Sequence, residues 1–316
     1  MNYLITGAAG FIGSHLCKKL IHDGAHLIAL DAFTDFYSRS IKENNVQSLV
    51  NHPRFELIPA DILEIDLDDI IDKVDVVFHL AAQPGVRTSW GADFSIYTKN
   101  NIDATQKLLE AAKTSKLKKF IYASSSSVYG LSPQLPMTET STLHPYSPYG
   151  VTKLAAENLC YLYHKNYGVP CVSLRFFTVY GPGQRPDMAF HKFFQAISKD
   201  EEITVFGDGQ QTRDFTYIDD IIRANLSSIE NGKVGENYNL GGGTRRKLAD
   251  ILPLLEDICE KSIKVRYVAG QKGDVRHTFA NIQKAKDDLK YNPNIPLEEG
   301  LRAEWEWIKS LNEAKI

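Results

Sequence analysis

Thr6-Gly7-Ala8-Ala9-Gly10-Phe11-Ile12-Gly13 decides how the rest of the sequence is read. A short apolar run at 3–6 leads into it, and a helical pattern at 11–22 leaves it. Glycines at a strand-to-helix turn permit a tight bend, close approach of backbone to a pyrophosphate, and close helix-on-strand packing. The helix N-terminus then offers free N–H groups to the anion. Gly7, Gly10 and Gly13 hold those places, with Phe11 and Ile12 in the first turn of the helix. Asp31, 18 residues after Gly13, ends the second apolar run, where a carboxylate can bind adenosine ribose hydroxyls. An acid there repels a 2′-phosphate, which selects NAD over NADP. Asp61 and Ile62, just past the third run, are expected at the adenine. Leu80, Ala81 and Ala82 end the fourth run with the small residues a closely approaching cofactor needs.

Outward from this turn, β-rich runs at 3–6, 27–31, 55–59, 74–80, 119–124 and 171–176 alternate with helical patterns at 11–22, 93–115 and 148–167, with a short turn of helix at 67–71. Such alternation signals βαβ units. The near-continuous apolar run at 74–80 demands burial on both faces, as in a parallel sheet. The fold expected is α/β, a Rossmann-like doubly wound parallel sheet with a smaller α/β C-terminal substrate-binding lobe. Past residue 178 the rhythm breaks, with Gly, Pro and charged residues clustered at 180–187 and 207–214. The NAD-binding domain is therefore set at 1–177 and the lobe at 178–316, some segments of which return to the first domain. A terminal helix at 297–311 carries Leu301, Trp305 and Ile308 at helical spacing, which assigns its tryptophans to packing.

The chain has 316 residues, 43% hydrophobic and 24% charged, which fits a globular protein of about two domains. Its 36 basic and 39 acidic residues give a net charge of −3, too little for a nucleic-acid field or a polyanionic tail. Cys17, Cys160, Cys171 and Cys259 lie far apart with no CxxC pair, so no metal site is expected and free thiols in a reducing cytoplasm are. The N-terminus lacks a signal-peptide pattern, and no run is long enough to span a membrane. Folded structure is expected from the start.

Tyr149 and Lys153 stand one helical turn apart at the beginning of the 148–167 pattern. A neighbouring ammonium, with the positive nicotinamide ring of the cofactor, is expected to bring the phenol down from its usual value near 10. Such a Tyr can take a hydroxyl proton as hydride leaves the same carbon. Tyr161 and Lys165 repeat the spacing mid-helix, where a solvated face is the simpler assignment. Ser124-Ser125-Ser126-Ser127 closes the fifth run at the carboxyl edge where open α/β sheets bind ligands, and one of these hydroxyls can share the substrate proton.

Together with His79-Leu80-Ala81-Ala82, Ser126-Ser127-Val128-Tyr129-Gly130, the stretch Arg175 to Pro182 and the stretch Arg213 to Asp220, these motifs resemble the extended short-chain dehydrogenase/reductase family end to end, specifically its NAD-dependent nucleotide-sugar epimerases and dehydratases. The resemblance implies Ser125 as the catalytic hydroxyl, Tyr149 as base, Lys153 as its partner and Asn101 on the cofactor side. Family 4,6-dehydratases carry Asp-Glu where this chain has Ser126 and Ser127, and the decarboxylases usually carry Glu at the place of Ser127, so both reactions are disfavoured. Residues 84–90, which include Arg87, and 178–189 resemble the UDP-glucuronate 4-epimerases. The guanidinium fork of Arg185 suits a carboxylate, and Thr178 adds a hydroxyl where the UDP-glucose enzymes more often have Asn. The resemblance also implies Arg213 and Arg276 at a diphosphate, Asp274 at the uridine ribose, and Ser126 and Ser127 facing the sugar; Phe190, in the helix after the Arg185 loop, either flanks the base or packs in the core. The expected partner is a UDP-sugar, interconverted at C4, in a homodimer formed through the 93–115 and 148–167 helices. Epimerisation of UDP-glucose or a UDP-N-acetylhexosamine, decarboxylation, and a non-catalytic NAD sensor are the alternatives.

Overall fold

The computed structural model describes residues 1–313. Its elements run β1 (Asn2–Thr6), α1 (Phe11–His22), β2 (His26–Leu30), α2 (Arg39–Val46), β3 (Phe55–Ile58), α3 (Asp68–Ile71), β4 (Val76–His79), α4 (Phe94–Tyr97), α5 (Ala104–Ala112), β5 (Lys119–Ser125), α6 (Pro148–Tyr167) and β6 (Cys171–Phe176). They continue with β7 (Thr178–Tyr180), α7 (Ala189–Ser198), β8 (Ile203–Phe206), β9 (Thr212–Tyr217), α8 (Ile218–Asn231), β10 (Asn237–Leu240), β11 (Arg245–Lys247), α9 (Leu248–Cys259), β12 (Val265–Val268), α10 (Gln283–Leu289) and α11 (Leu297–Glu313).

Seven strands form one parallel sheet in the order β10-β6-β5-β4-β1-β2-β3. Successive side chains of a strand point to opposite faces. Ile5 and Phe78 accordingly enter one apolar layer with Leu16, Leu20 and Ile221, while Leu4 and Val77 enter the other with Leu108 and Phe120. Burial on both faces explains the unbroken apolar runs. A second body holds the three-stranded sheet β11-β9-β7 and the pair β12-β8. Its own core includes Phe194, Val205, Leu255, Leu301, Trp305 and Ile308, so Trp305 is packing. Among the described residues no helix is long and apolar enough to cross a membrane.

Two features differ from the sequence expectation, both helical. Helix 93–115 is not one regular helix: a π-helical turn, Thr98–Asp103, separates α4 from α5. Helix α2 falls in a polar stretch where apolar periodicity is too weak to signal it. Strand β10, far along the chain, pairs with β6 and extends the first sheet.

Helix α6 begins as its sequence dictates, with Pro148 in the first turn and the Ser147 hydroxyl accepting from the Gly150 N–H at 3.1 Å. It is locked to the sheet by a buried ion pair. Arg175 of β6 donates from Nε and Nη2 to Glu157 of α6 at 3.0 and 2.5 Å. Removing one partner of such a pair strands the other charge in the interior. Arg175→Met alone should therefore cost about 3–5 kcal/mol in urea unfolding, and adding Glu157→Leu should recover part of that loss. Equal stability of wild type and the single variant would contradict this account.

Candidate active site

The strand order reverses between β4 and β1, and the main cleft opens at the carboxyl ends of these strands. Gly7, Gly10, Phe11, Ile12, Gly13, Asp31, Asp61, Ile62, Leu80, Ala81 and Ala82 all line it. Gly7 has φ +69°, and a Cβ there would lie 2.8 Å from the Ala81 nitrogen. At Gly13 a Cβ would lie 2.1 Å from the Gly7 carbonyl oxygen, so only glycine lets the turn close. Helix α1 has no side-chain cap, which leaves first-turn N–H groups for an anion. Asp31 accepts from the Ala9 N–H at 2.9 Å and the Phe33 N–H at 2.8 Å, and its oxygens retain lone pairs for ribose hydroxyls. This cradle fits NAD.

Asn101 is a correction to the expected cofactor contacts. It is buried outside the cleft wall, its Oδ1 accepting from the Gln83 N–H at 2.6 Å and its Nδ2 donating to the Gln83 carbonyl and the Thr152 hydroxyl. The π-helical turn puts Asn100 in the wall instead. Asn101 thus supports the cleft without facing it.

The four serines sort by partner. Ser124 donates to Glu157 at 2.6 Å, and Ser126 and Ser127 line a second, smaller cleft. Ser125 caps the turn that follows β5 by accepting from the Ser127 N–H at 3.1 Å, and it lies close enough to Tyr149 to lower the phenol's pKa. Tyr149 and Lys153 both line the main cleft. Burial raises the Tyr149 pKa above its ordinary value, while the Ser125 hydroxyl and then the Arg185 charge act to lower it. Burial likewise depresses Lys153, from 10.5 to about 7, with its ammonium 4.4 Å from the centre of the Tyr122 ring. Desolvation is the largest cause for both groups. Tyr161 and Lys165 lie exposed, as a mid-helix pair should.

On the substrate side, Ser126, Ser127, Thr178, Arg213 and Asp274 meet in the second cleft. Arg87 faces Asp274, donating to it from Nη2 at 2.7 Å and lying 4.1 Å above the Phe206 ring. Arg185 lies in the main cleft, with Nε and Nη2 each 2.9 Å from an Asp187 oxygen, so one edge of its fork is already engaged. Two of the expected contact residues have other partners. Phe190 is core, edge-on to Tyr180 and 4.8 Å from the Phe215 ring centre. Arg276 pairs with Asp208 at 2.8 Å, half exposed and outside both clefts.

Sequence reasoning missed Thr34, Phe36, Tyr37 and Lys42, which line the cleft near Asp31. Lys42 is buried, its ammonium 4.7 Å from the Tyr37 ring centre. A lone Lys in a polar stretch carries no signal of burial. Gln83 and Asn100 were each one residue from a motif that was read.

Residues 3–241 match the model of the NAD dependent epimerase/dehydratase family. The chain belongs to this family. It is similar to the crystal structure of UDP-Glucuronic acid 4-epimerase from Bacillus cereus in complex with UDP-Glucuronic acid and NAD, at 49% identity and TM-score 0.96, covering 98% of this chain and 100% of that one. UDP-glucuronate 4-epimerase of Thermodesulfobacterium geofontis is 40% identical over 314 residues, 97% of this chain and 96% of that protein. An uncharacterized UDP-glucose epimerase of Bacillus subtilis, YtcB, is 44% identical over 319 residues, all of both chains. NAD is the family's cofactor, in agreement with the carboxylate at Asp31.

Lys153 gives the site a pH signature. Below about pH 7 the amine is protonated in both folded and unfolded chains, so the full cost of burying the charge is present. Between about 7 and 10.5 the unfolded chain binds a proton that the folded one does not, so stability attributable to Lys153 rises with pH. Urea unfolding should show Lys153→Met gaining most over wild type at the acid end of this window, with the gap narrowing towards the alkaline end. A constant gap would contradict the depressed amine.

Proposed function

We propose that this protein interconverts UDP-glucuronate and UDP-galacturonate by epimerisation at C4 through a transient 4-keto sugar. The observation that carries this reading is Arg185, a cation in the same cleft as Tyr149 and near enough to lower its pKa. Asp187 holds one edge of its guanidinium, and the remaining donors suit a substrate carboxylate, which a neutral hexose lacks. The similarity to the Bacillus cereus enzyme supports the same substrate.

The first-turn N–H groups of Phe11 and Ile12 hold the cofactor pyrophosphate, and Asp31 holds the adenosine ribose. NAD held there would supply the acceptor for the C4 hydride and its donor in the return step, so no external reductant would be consumed. Tyr149 receives the O4 proton and gives it back, with Ser125 beside it to share that proton. Lys153 keeps its amine under the cofactor side of Tyr149. Ser126, Ser127 and Thr178 face the sugar, while Arg87, Arg213 and Asp274 hold the nucleotide end. The 4-keto acid is a β-keto acid, prone to losing carbon dioxide when its carboxylate bond aligns with the keto π system. Arg185 and Thr178 hold that carboxylate out of alignment.

A homodimer accounts for apolar side chains left on α4 and α6, where Ile96, Val151 and Leu162 are exposed. Light scattering should give twice the chain mass, and a monomer would refute the assembly. The four free, buried cysteines suit a cytoplasmic protein. Its product is an activated sugar acid, the form that polysaccharide synthesis consumes.

Proton NMR of the protein with UDP-glucuronate and catalytic NAD should show UDP-galacturonate appearing, with little pentose nucleotide. Tyr149→Phe should lower turnover by about 10²–10⁴-fold. Conversion of UDP-glucose with UDP-glucuronate left untouched would keep the mechanism and refute the role given to Arg185.

A further inference from the structure

The edge of one buried ring touches both halves of this site. Tyr97 is 1% exposed, on the last turn before the π-helical segment, and its ring centre lies 6.3 Å from that of Tyr149 at an interplanar angle of 74°. This is the edge-to-face arrangement aromatic pairs favour. The hydroxyl at the other end of the ring donates to the Pro84 carbonyl at 2.9 Å and shares a 2.6 Å hydrogen bond with the Thr88 hydroxyl. The chain between those contacts wraps closely round that hydroxyl: Gly85 has φ +109°, and a Cβ there would lie 2.5 Å from the Thr88 oxygen and 3.1 Å from the Tyr97 oxygen. The same segment carries Val86 into the wall of the substrate cleft and Arg87 onto Asp274 of the second body.

We propose that Tyr97 is a positioning residue for the epimerisation, its ring fixing the Tyr149 phenol and its hydroxyl fixing the 84–88 loop that closes on the sugar nucleotide. The proposal rests on the reaction assigned above. Its physical content is that two functions reside in two parts of one side chain. The ring sets where the proton acceptor stands, so its loss acts on the chemical step. The hydroxyl sets where Val86 and Arg87 stand, so its loss acts on binding.

The test is steady-state kinetics with UDP-glucuronate on Tyr97→Phe, Tyr97→Leu and Thr88→Val, with thermal unfolding of each. Tyr97→Phe keeps the ring and should raise KM about fivefold or more while kcat changes less than about twofold, as expected when only loop hydrogen bonds are lost. Thr88→Val, which leaves both rings in place, should also raise KM and spare kcat. Tyr97→Leu should lower kcat about tenfold or more, because small misplacement of a reacting group is costly, and should shift the pH dependence of kcat. Wild-type kinetics in all three variants would overturn the proposal. So would losses of kcat that merely track lost thermal stability, with no separation of KM from kcat, since simple packing predicts that. If Tyr97→Leu does not fold, the KM rise in Tyr97→Phe and Thr88→Val decides the matter. A wild type inactive on UDP-glucuronate refutes the assigned reaction, whereas an active wild type with unsplit variants refutes only the role of Tyr97.

Discussion

The ion pair between Glu157 and Arg175 holds the rest of the site in register. Both groups are almost wholly removed from water, where an uncompensated charge would be expelled or neutralised, so every lone pair and donor near them needs a partner. Glu157 accepts from two Arg175 nitrogens, from the Ser124 hydroxyl and from Asn237 at 3.3 Å. Arg175 in turn donates to the Tyr129 hydroxyl at 2.7 Å and to the Glu139 carbonyl at 3.2 Å, and Tyr129 donates to Asn239. One network therefore joins α6, the end of β5, β6 and β10. The helix bearing Tyr149 and Lys153 cannot slide on the strand that ends in Ser125 without breaking it. A fully satisfied polar network specifies one arrangement more sharply than an apolar contact, which tolerates sliding.

That saturation also shapes the electrostatics. Glu157 lies one turn beyond Lys153 and raises its pKa, but its charge is already matched by Arg175, so burial wins and the amine loses its proton near neutrality. Tyr149 is held up for the same reason, with Ser125 and Arg185 as the groups that oppose burial. Beneath them lies a neutral polar chain. Burial pushes His79 to about 3, so its ring is uncharged. Thr105 donates to the Asn101 carbonyl, which leaves the Thr105 oxygen to accept from His79 Nε2, and His79 Nδ1 to accept from Thr6. The support for Asn101 and the cleft floor thus contributes hydrogen bonds without adding charge to the site.

How far the sequence exposed this depended on distance along the chain. The Gly-rich turn, Asp31 and the start of α6 are local patterns, where a few consecutive residues set backbone conformation, and the structure places them where expected. The π-helical turn is invisible because its residues have ordinary helical composition, and its effect is a one-residue exchange of Asn101 for Asn100 in the cleft wall. Phe190 and Arg276 are obscure for a different reason. Their contacts with Phe215 and Asp208 lie 25 and 68 residues away along the chain, so local sequence does not separate packing or pairing from a place at the substrate. The Glu157–Arg175 pair, 18 residues apart on different elements, leaves no periodic trace.

The contrast between this pair and Arg87–Asp274 shows how one chain separates rigidity from access. Both are Arg–carboxylate pairs with two or more hydrogen bonds. The first is dry and costly to break. The second joins residues 187 apart across the mouth of the substrate cleft, with side chains 41% and 28% exposed, where water screens the attraction and an ion pair contributes about 0–1 kcal/mol. Arg213 lies beside it, its pKa lowered first by burial and also by the charge of Arg87, and raised by Asp274. Two cations thus lie near one carboxylate that pairs with Arg87 alone, an arrangement short of negative charge. In the proposed reaction a diphosphate entering between Arg87 and Arg213 would supply what Asp274 alone does not, at the low cost of a weak pair. The proposed catalytic groups would then be held where charge is buried, and the nucleotide where it is not.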